Sequence, residues 1–475
     1  MTDPLAVLAR ASGRIEASPA ELRAMARSRA VLTGTATEVY GLTRGFGPLA
    51  GYPADPDPRR HGLGLISHLA VGQGEPLPPA VTRTAVWLRL RSMALGHSAV
   101  DPDLWHALAA QWNAGFTPVV PREGSLSASG DLVPLAHAAL AAGGSATERA
   151  WQDGAQVHPA HRLRALGVPP VVWEARTALA FVNGSSASLA QALHNHRELA
   201  AAVRLAADTT ARIVRLLGCD PTPYGEPVSR VRNQPGQRTV AGWIRSALPA
   251  GHTRAADRPL QERYSLRCAP QVLGAVLDQL AAQGAVLARE AAGCTDNPVV
   301  VDGAVQHGGN FHAAPVALAT EAHAGCVHQV AMLLERQLAL LVDPAGNGGL
   351  PPMLTPTPGA ASGLAGVQIA AASHLARLRQ LAHPASTTTM PANLDNQDHT
   401  PLALNGANAV ADMLLRLRWI AGSLLVAVTQ HAHLRPVPAD GLWAGLRDLV
   451  DPVTVDRPLA ATIRAAAALA LPAAG

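Results

Sequence analysis

Long alanine- and leucine-rich stretches at 186–218, 268–292, 312–342, 362–382 and 403–432 dominate the second half of the chain. Each is long enough for several helical turns, and apolar residues recur in it at spacings of three and four. Ala, Leu and Arg are strong helix formers, and Gly-, Pro- and Asn-rich segments separate the stretches. The pattern predicts a mainly α-helical protein built around a bundle of long helices. Upstream, residues 1–35 and 61–115 also read as helical, and 40–60 (YGLTRGFGPLAGYPADPDPRR) as a mobile loop. The segment FTPVVPREGSLSASGDLVPLAHAAL opens extended, passes through small residues and enters a helix near Leu132. Residues 145–172 read as a small strand-and-loop insertion. The change of character predicts two domains, 1–185 and 186–475.

Charge and cysteine content exclude several classes. The net charge is +4, the charged fraction is 15%, and the charges are scattered singly. No basic block with interleaved aromatics points to nucleic acid. Every basic residue is arginine, so Schiff-base chemistry on a lysine, and with it a standard PLP enzyme, is excluded. Cys219, Cys268, Cys294 and Cys326 are widely spaced and form no CxxC pair, which reads as reduced thiols in a cytoplasmic protein. The start MTDPLAVLAR lacks a signal-peptide pattern. The longest uncharged stretch, 344–376, is broken by Gly and Pro, so no membrane span is expected. His194-x-His196 and His431-x-His433 lie in helical segments where i and i+2 face apart, so no metal site is expected.

The sharpest local feature is Gly124-Ser125-Leu126-Ser127-Ala128-Ser129-Gly130-Asp131-Leu132-Val133-Pro134-Leu135-Ala136-His137. By itself it is a small-residue turn before a helix, with Asp131 placed to cap that helix. The string ASGDLxPLxH also resembles the signature of the aromatic amino acid ammonia-lyase family: histidine, phenylalanine and tyrosine ammonia-lyases and related aminomutases. Further segments match in the family's order. Tyr40-Gly41-Leu42-Thr43-Arg44-Gly45-Phe46-Gly47 resembles YGxNTGFG, and Phe181-Val182-Asn183-Gly184 resembles LxNG. Gln261-Glu262-Arg263-Tyr264-Ser265-Leu266-Arg267-Cys268 resembles QDxYSxRC. Thr295-Asp296-Asn297-Pro298, Gly308-Gly309-Asn310-Phe311-His312 and Asn396-Gln397-Asp398-His399 match as well.

The resemblance implies an ammonia-lyase-like fold whose N-terminal domain carries both a mobile tyrosine loop and a prosthetic group. That group, 4-methylideneimidazol-5-one, forms when Ala128-Ser129-Gly130 cyclises with loss of water; no metal and no PLP is implied. Gly130 lets its nitrogen approach the Ala128 carbonyl, and Ser129 supplies the methylidene. Removing ammonia from an α-amino acid needs an electrophile for the amine and a base at the β-carbon. The resemblance makes Tyr40 that base, with its phenol lowered by nearby positive charge or helix N-termini, and sets Tyr264 beside the group. It pairs Arg267 with the substrate carboxylate, and puts Asn183 and Asn310 on the group or the carboxylate. Phe311 would pack near the substrate, with Gln261 and Gln397 as further polar contacts. It also implies a homotetramer with shared active sites, acting on a small aromatic amino acid.

Two positions bear on the substrate. Counted back from Gly72, the family's selectivity pair is His68-Leu69, as in tyrosine lyases, and a histidine suits a phenol hydroxyl. Gln397 stands where histidine lyases carry glutamate, which favours a carbocyclic ring. Against these, Ser67-His68, Tyr264-Ser265-Leu266-Arg267-Cys268, Phe311-His312 and Asp398-His399 look more like histidine lyases. A 2,3-aminomutase and an inactive homologue that only binds remain as alternatives. Among the departures from the family pattern, Arg44 replaces the Thr of Asn-Thr in the base loop. It is placed either to lower the Tyr40 phenol or to contact a substrate group.

Overall fold

The structure, a computed structural model, describes residues 3–35, 37–387 and 390–472. Most of them are helical. They form two compact units: residues 1–194, 283–321 and 384–408 make one; 195–282, 322–383 and 409–475 make the other. The first boundary falls at 194/195, inside the helix that begins at Ser186. The units, however, interleave, because 283–321 and 384–408 return to the first. The physical reason is helix length: four of the five boundaries fall inside the helices Ser186–Leu217, Ala269–Ala292, Ala314–Val342 and Ala403–Leu434, and the fifth, at 383/384, follows the helix Ala365–Leu381.

In the first unit, local chemistry sets where helices begin. Proline occupies the first turn of Pro4–Ala11, Pro19–Gly34, Pro58–Leu69 and Pro102–Asn113, where its missing N–H costs nothing. Asp3, Ser18, Asp57 and Asp101 cap those helices, Ser18 in a reciprocal box with Glu21. The core joins Leu65, Ile66, Trp87, Leu90, Trp105, Leu135, Leu179 and Phe181. Two of its buried indoles donate to backbone carbonyls: Trp105 to Leu90 and Trp173 to Ala139, both at 2.9 Å. Short antiparallel pairs decorate this unit, among them Gln73–Pro76 with Pro121–Glu123. The 145–172 insertion holds a hairpin, Ala150–Gln152 with Ala155–Val157, and also a helix, Pro159–Ala165. Asp153-Gly154, both at positive φ, makes the tight hairpin turn, and His158-Pro159 starts the helix.

The second unit is a bundle of long helices, drawn from only part of the 186–475 range expected for it. Val203, Val214, Leu273, Val327, Leu334, Leu338, Leu417 and Leu424 share one core. The helices Pro235–Ser246 and Ala269–Ala292 meet through Gly236 and Gly274, where a Cβ on Gly236 would overlap the Gly274 carbonyl. Ala269–Ala292 is the one helix, among the described residues, with the length and hydropathy of a membrane span. It carries Asp278, Arg289 and Glu290 all the same, and gives Leu273, Val276 and Leu280 to the core.

His323 lies buried in this unit with His196, Nδ1 of His196 to Nε2 of His323 at 3.2 Å. Burial, and secondarily His196, push the His323 imidazole down to about 3. It is therefore neutral in the fold at pH values where the unfolded side chain, near 6.5, takes a proton. The unfolded chain then binds more protons, so stability falls as pH drops from 6.5 toward 3. This group alone contributes a slope of about 1.4 kcal/mol per pH unit. His323→Gln is expected to flatten the acid limb of denaturant midpoints between pH 6.5 and about 4. An unchanged slope would contradict a neutral, buried His323.

Candidate active site

The Gly124–Asp131 stretch forms a folded turn between the strand Pro121–Glu123 and the helix Leu132–Ala142. Ser127 and Gly130 both take positive φ, at 55° and 74°. At 130 only glycine fits, since a Cβ there would overlap the backbone of Gly184. The Asp131 amide donates to the Gly184 carbonyl at 2.8 Å. Asn183 Nδ2 donates to the Ser129 carbonyl at 2.7 Å, and Gln397 Nε2 to Ser129 Oγ at 2.9 Å. The tripeptide is thus pressed against the Asn183-Gly184 turn and held from both sides.

Asp131 anchors this arrangement by a different bond from the one its position suggests. It makes no side-chain cap on Leu132–Ala142. Its fully buried carboxylate accepts from Ser125 Oγ, Ser127 Oγ, Ser188 N and Ser188 Oγ at 2.7–3.0 Å, at the start of the helix Ser186–Leu217. Burial pushes its carboxyl above the usual range, and the Ser188 amide and the serine hydroxyls oppose that shift.

A cavity of about 470 Å³ opens over the turn. Its walls bring together Tyr40, His68, Leu69, Ala128, Ser129, Gly130, Asn183 and Gln397, residues separated by as much as 357 positions. No carboxylate is on the described lining. His68 Nδ1 bonds the Gly64 carbonyl at 3.1 Å. A carbonyl only accepts, so the ring proton sits on Nδ1 and Nε2 is left as an acceptor. Tyr40 Oη accepts from the Gly47 amide at 2.8 Å, and its ring meets Phe46 edge-on. Phe46 in turn stacks on His61, with centroids 4.4 Å apart.

The Tyr40 phenol is raised above its ordinary value, not lowered. Burial dominates, and the Gly47 hydrogen bond only opposes it. Arg44 does not supply the expected positive charge. Its guanidinium pairs with Glu38 and donates to the Gly51 carbonyl, and it is not on the cavity wall.

Other expected site residues lie off this lining. Asn310 and Phe311 belong to the first unit, in the loop after the hairpin Val299–Val301 with Ala304–Gln306, and Asn310 is exposed. Gln261, Tyr264 and Arg267 belong to the second unit. Tyr264 is 71% exposed, and the Arg267 guanidinium stacks 4.9 Å over its ring. Arg267 Nε is buried without a partner. His312 and His399 pair at 3.2 Å. Burial pushes the Cys294 thiol up, which leaves it a poor nucleophile. Among the described residues no group of three His, Cys, Asp or Glu is placed to hold a metal.

Gly47 and the Ser125, Ser127 and Ser188 hydroxyls had no assigned role from sequence. Gly47 ends the Tyr40–Gly47 motif, and nothing local singles out Ser188. The residues present fit a cyclised tripeptide. Ala128 is small and buried, Gly130 has the backbone that close approach needs, and Asn183 keeps a buried, unpartnered Oδ1 beside its bond to Ser129.

Comparison with known proteins agrees with this geometry. A family model described as "Aromatic amino acid lyase" matches residues 2–451. A histidine ammonia-lyase of Rhodospirillum rubrum is 36% identical over 469 residues, 95% of this chain and 90% of that one. The crystal structure of a tyrosine aminomutase from Streptomyces globisporus superposes with a TM-score of 0.92 at 28% identity, covering 98% of this chain and 95% of that one. A histidine ammonia-lyase structure from Trypanosoma cruzi gives 0.87 at 26%, covering 98% and 91%.

Proposed function

The chain belongs to the aromatic amino acid lyase family and is a carbon–nitrogen lyase, and from that premise we propose that it eliminates ammonia from L-tyrosine to give an α,β-unsaturated acid. The observation that carries the choice of substrate is the His68 ring. With Nδ1 committed to Gly64, Nε2 is an acceptor suited to a phenol O–H. Phenylalanine offers that acceptor nothing, so a site that pairs the hydroxyl favours tyrosine over the analogue lacking it. The described lining holds no carboxylate to balance an imidazole, and Gln397 is neutral.

We place 4-methylideneimidazol-5-one at Ala128-Ser129-Gly130, where it would supply the electrophile that makes the amine a better leaving group. Asn183, which donates to the Ser129 carbonyl, would hold it there. Gln397 is already hydrogen-bonded to the Ser129 hydroxyl that cyclisation removes. Tyr40 takes the β-proton at its Oη, and the Gly47 amide stabilises the phenolate. Arg267 binds the substrate carboxylate in a bidentate pair, with Tyr264 beside it, both contributed by neighbouring copies in a homotetramer. Tyr264 is exposed, and the Arg267 guanidinium stacked on its ring has an unpartnered Nε, which supports that role.

Ultraviolet absorbance in separate incubations with L-tyrosine, L-phenylalanine and L-histidine tests the reading, because each elimination creates a conjugated acid. The rise is expected to be fastest with tyrosine, by roughly tenfold or more over phenylalanine. A rise with histidine alone would establish the second reading, which the 36% identity to a histidine ammonia-lyase favours. A β-amino acid accumulating from tyrosine in place of the conjugated acid would make the chain an aminomutase.

A further inference from the structure

His68 and Leu69 end the helix Pro58–Leu69, and something must fix how far that end stands from the Ala128-Ser129-Gly130 turn. Three residues on, the Gly72 amide donates to His137 Nε2 at 3.0 Å. His137 lies on the helix Leu132–Ala142, which starts directly after the turn and lends Leu132 and Val133 to the cavity wall. An amide N–H can only donate, so Nε2 is the acceptor and the ring proton sits on Nδ1. That proton is given to Glu148 Oε2 at 2.9 Å, and Glu148 Oε1 accepts from Thr147 Oγ1 at 3.3 Å. Both His137 and Glu148 are 8% exposed. The fit is close: a Cβ on Gly72 would press on Val133, on the Glu123 carbonyl and on His137 Nε2.

Neither side chain touches the substrate cavity. They line a separate cleft of about 830 Å³ with Ser67, Ala70 and Gly72. The helix end is therefore a partition, with His68 and Leu69 on one side and the His137–Glu148 pair on the other. We infer that His137 and Glu148 are positioning residues that set the reach of His68-Leu69 over the prosthetic turn, and so determine which ring the cavity accepts. Glu148 fixes the ring's tautomer and rotation; His137 then holds Gly72 at one distance from a helix rigidly continuous with the turn. This inference rests on the cavity being the substrate site.

The test uses the full-length chain with two readouts, amide exchange of the peptide containing Gly72 by mass spectrometry and steady-state kinetics on tyrosine and phenylalanine. In His137→Leu, exchange at Gly72 is expected to rise on the order of tenfold, because a buried bond acceptor is lost. KM for tyrosine should rise by a similar factor, with kcat within about threefold, and the preference over phenylalanine should shrink. His137→Gln should restore both, since its amide oxygen can accept from Gly72. Glu148→Leu should move both readouts the same way by less, and carries the test if His137→Leu does not fold. Unchanged Gly72 exchange together with unchanged selectivity in the leucine variants would overturn the latch, as would failure of His137→Gln to rescue. If the wild-type chain turns over no aromatic amino acid, faster Gly72 exchange still supports the latch, and only the functional reading fails.

Discussion

A Ser129→Ala chain is expected to fold as the wild type does, to retain the full mass of its sequence, and to lose turnover by on the order of 10³-fold or more. The three parts have separate causes. Folding is spared because Ser129 contributes one side-chain bond, from Gln397 at 2.9 Å, and its backbone bond from Asn183 is kept. In the uncyclised turn that hydrogen bond is worth only about 1 kcal/mol, and cyclisation removes it from the wild type in any case. The mass difference arises because only Ser129 can lose its hydroxyl to form a methylidene; wild type should lack two waters, and the variant should lack none. The rate loss follows because several factors of 1.4 kcal/mol of barrier lowering depend on an electrophile for a poor leaving group. Intact-mass spectrometry and absorbance assays read both effects. Full activity in the variant, or a chain still short of two waters, would refute the assignment of the group to this tripeptide.

The turn was legible in the sequence because its constraints are local. Positive φ at Gly130 selects glycine, and close packing selects Ala128. The long helices were legible for the same reason, since Ala, Leu and spacing act within a few turns. What escaped depends on contacts across large separations. Asp131 caps a helix that begins 55 residues later, because Ser188 brings a backbone donor and a hydroxyl to its carboxylate. No rule on neighbouring residues distinguishes that from capping its own helix. The interleaved units escaped likewise: a long helix looks uniform in sequence even where it leaves one core for another. Tyr264 and Arg267 could be matched to a motif, but spacing cannot say which surface they occupy. Arg44 shows the opposite failure. Its place beside the base loop suggested a charge for Tyr40, and the Glu38 carboxylate six residues away takes it instead.

Tyr40→Phe is expected to lower kcat by about 10²–10⁴-fold, the range for losing a general base, with KM nearly unchanged. The phenylalanine ring keeps the edge contact with Phe46 and the packing on the cavity wall, so binding loses little. Only Oη is removed, and with it the acceptor for the Gly47 amide. The pH dependence identifies the role more sharply than the rate does. The base must be deprotonated to act, and burial holds the phenol above its usual value. Below that value the phenolate fraction grows about tenfold per pH unit. Wild-type kcat/KM should therefore climb through the alkaline range until another group limits it, and Tyr40→Phe should flatten that limb. A variant that stays slow but keeps the same rising limb would move the base to another residue. Tyr264 would then be the next to test, because its phenol is the other one in the motifs that match the family.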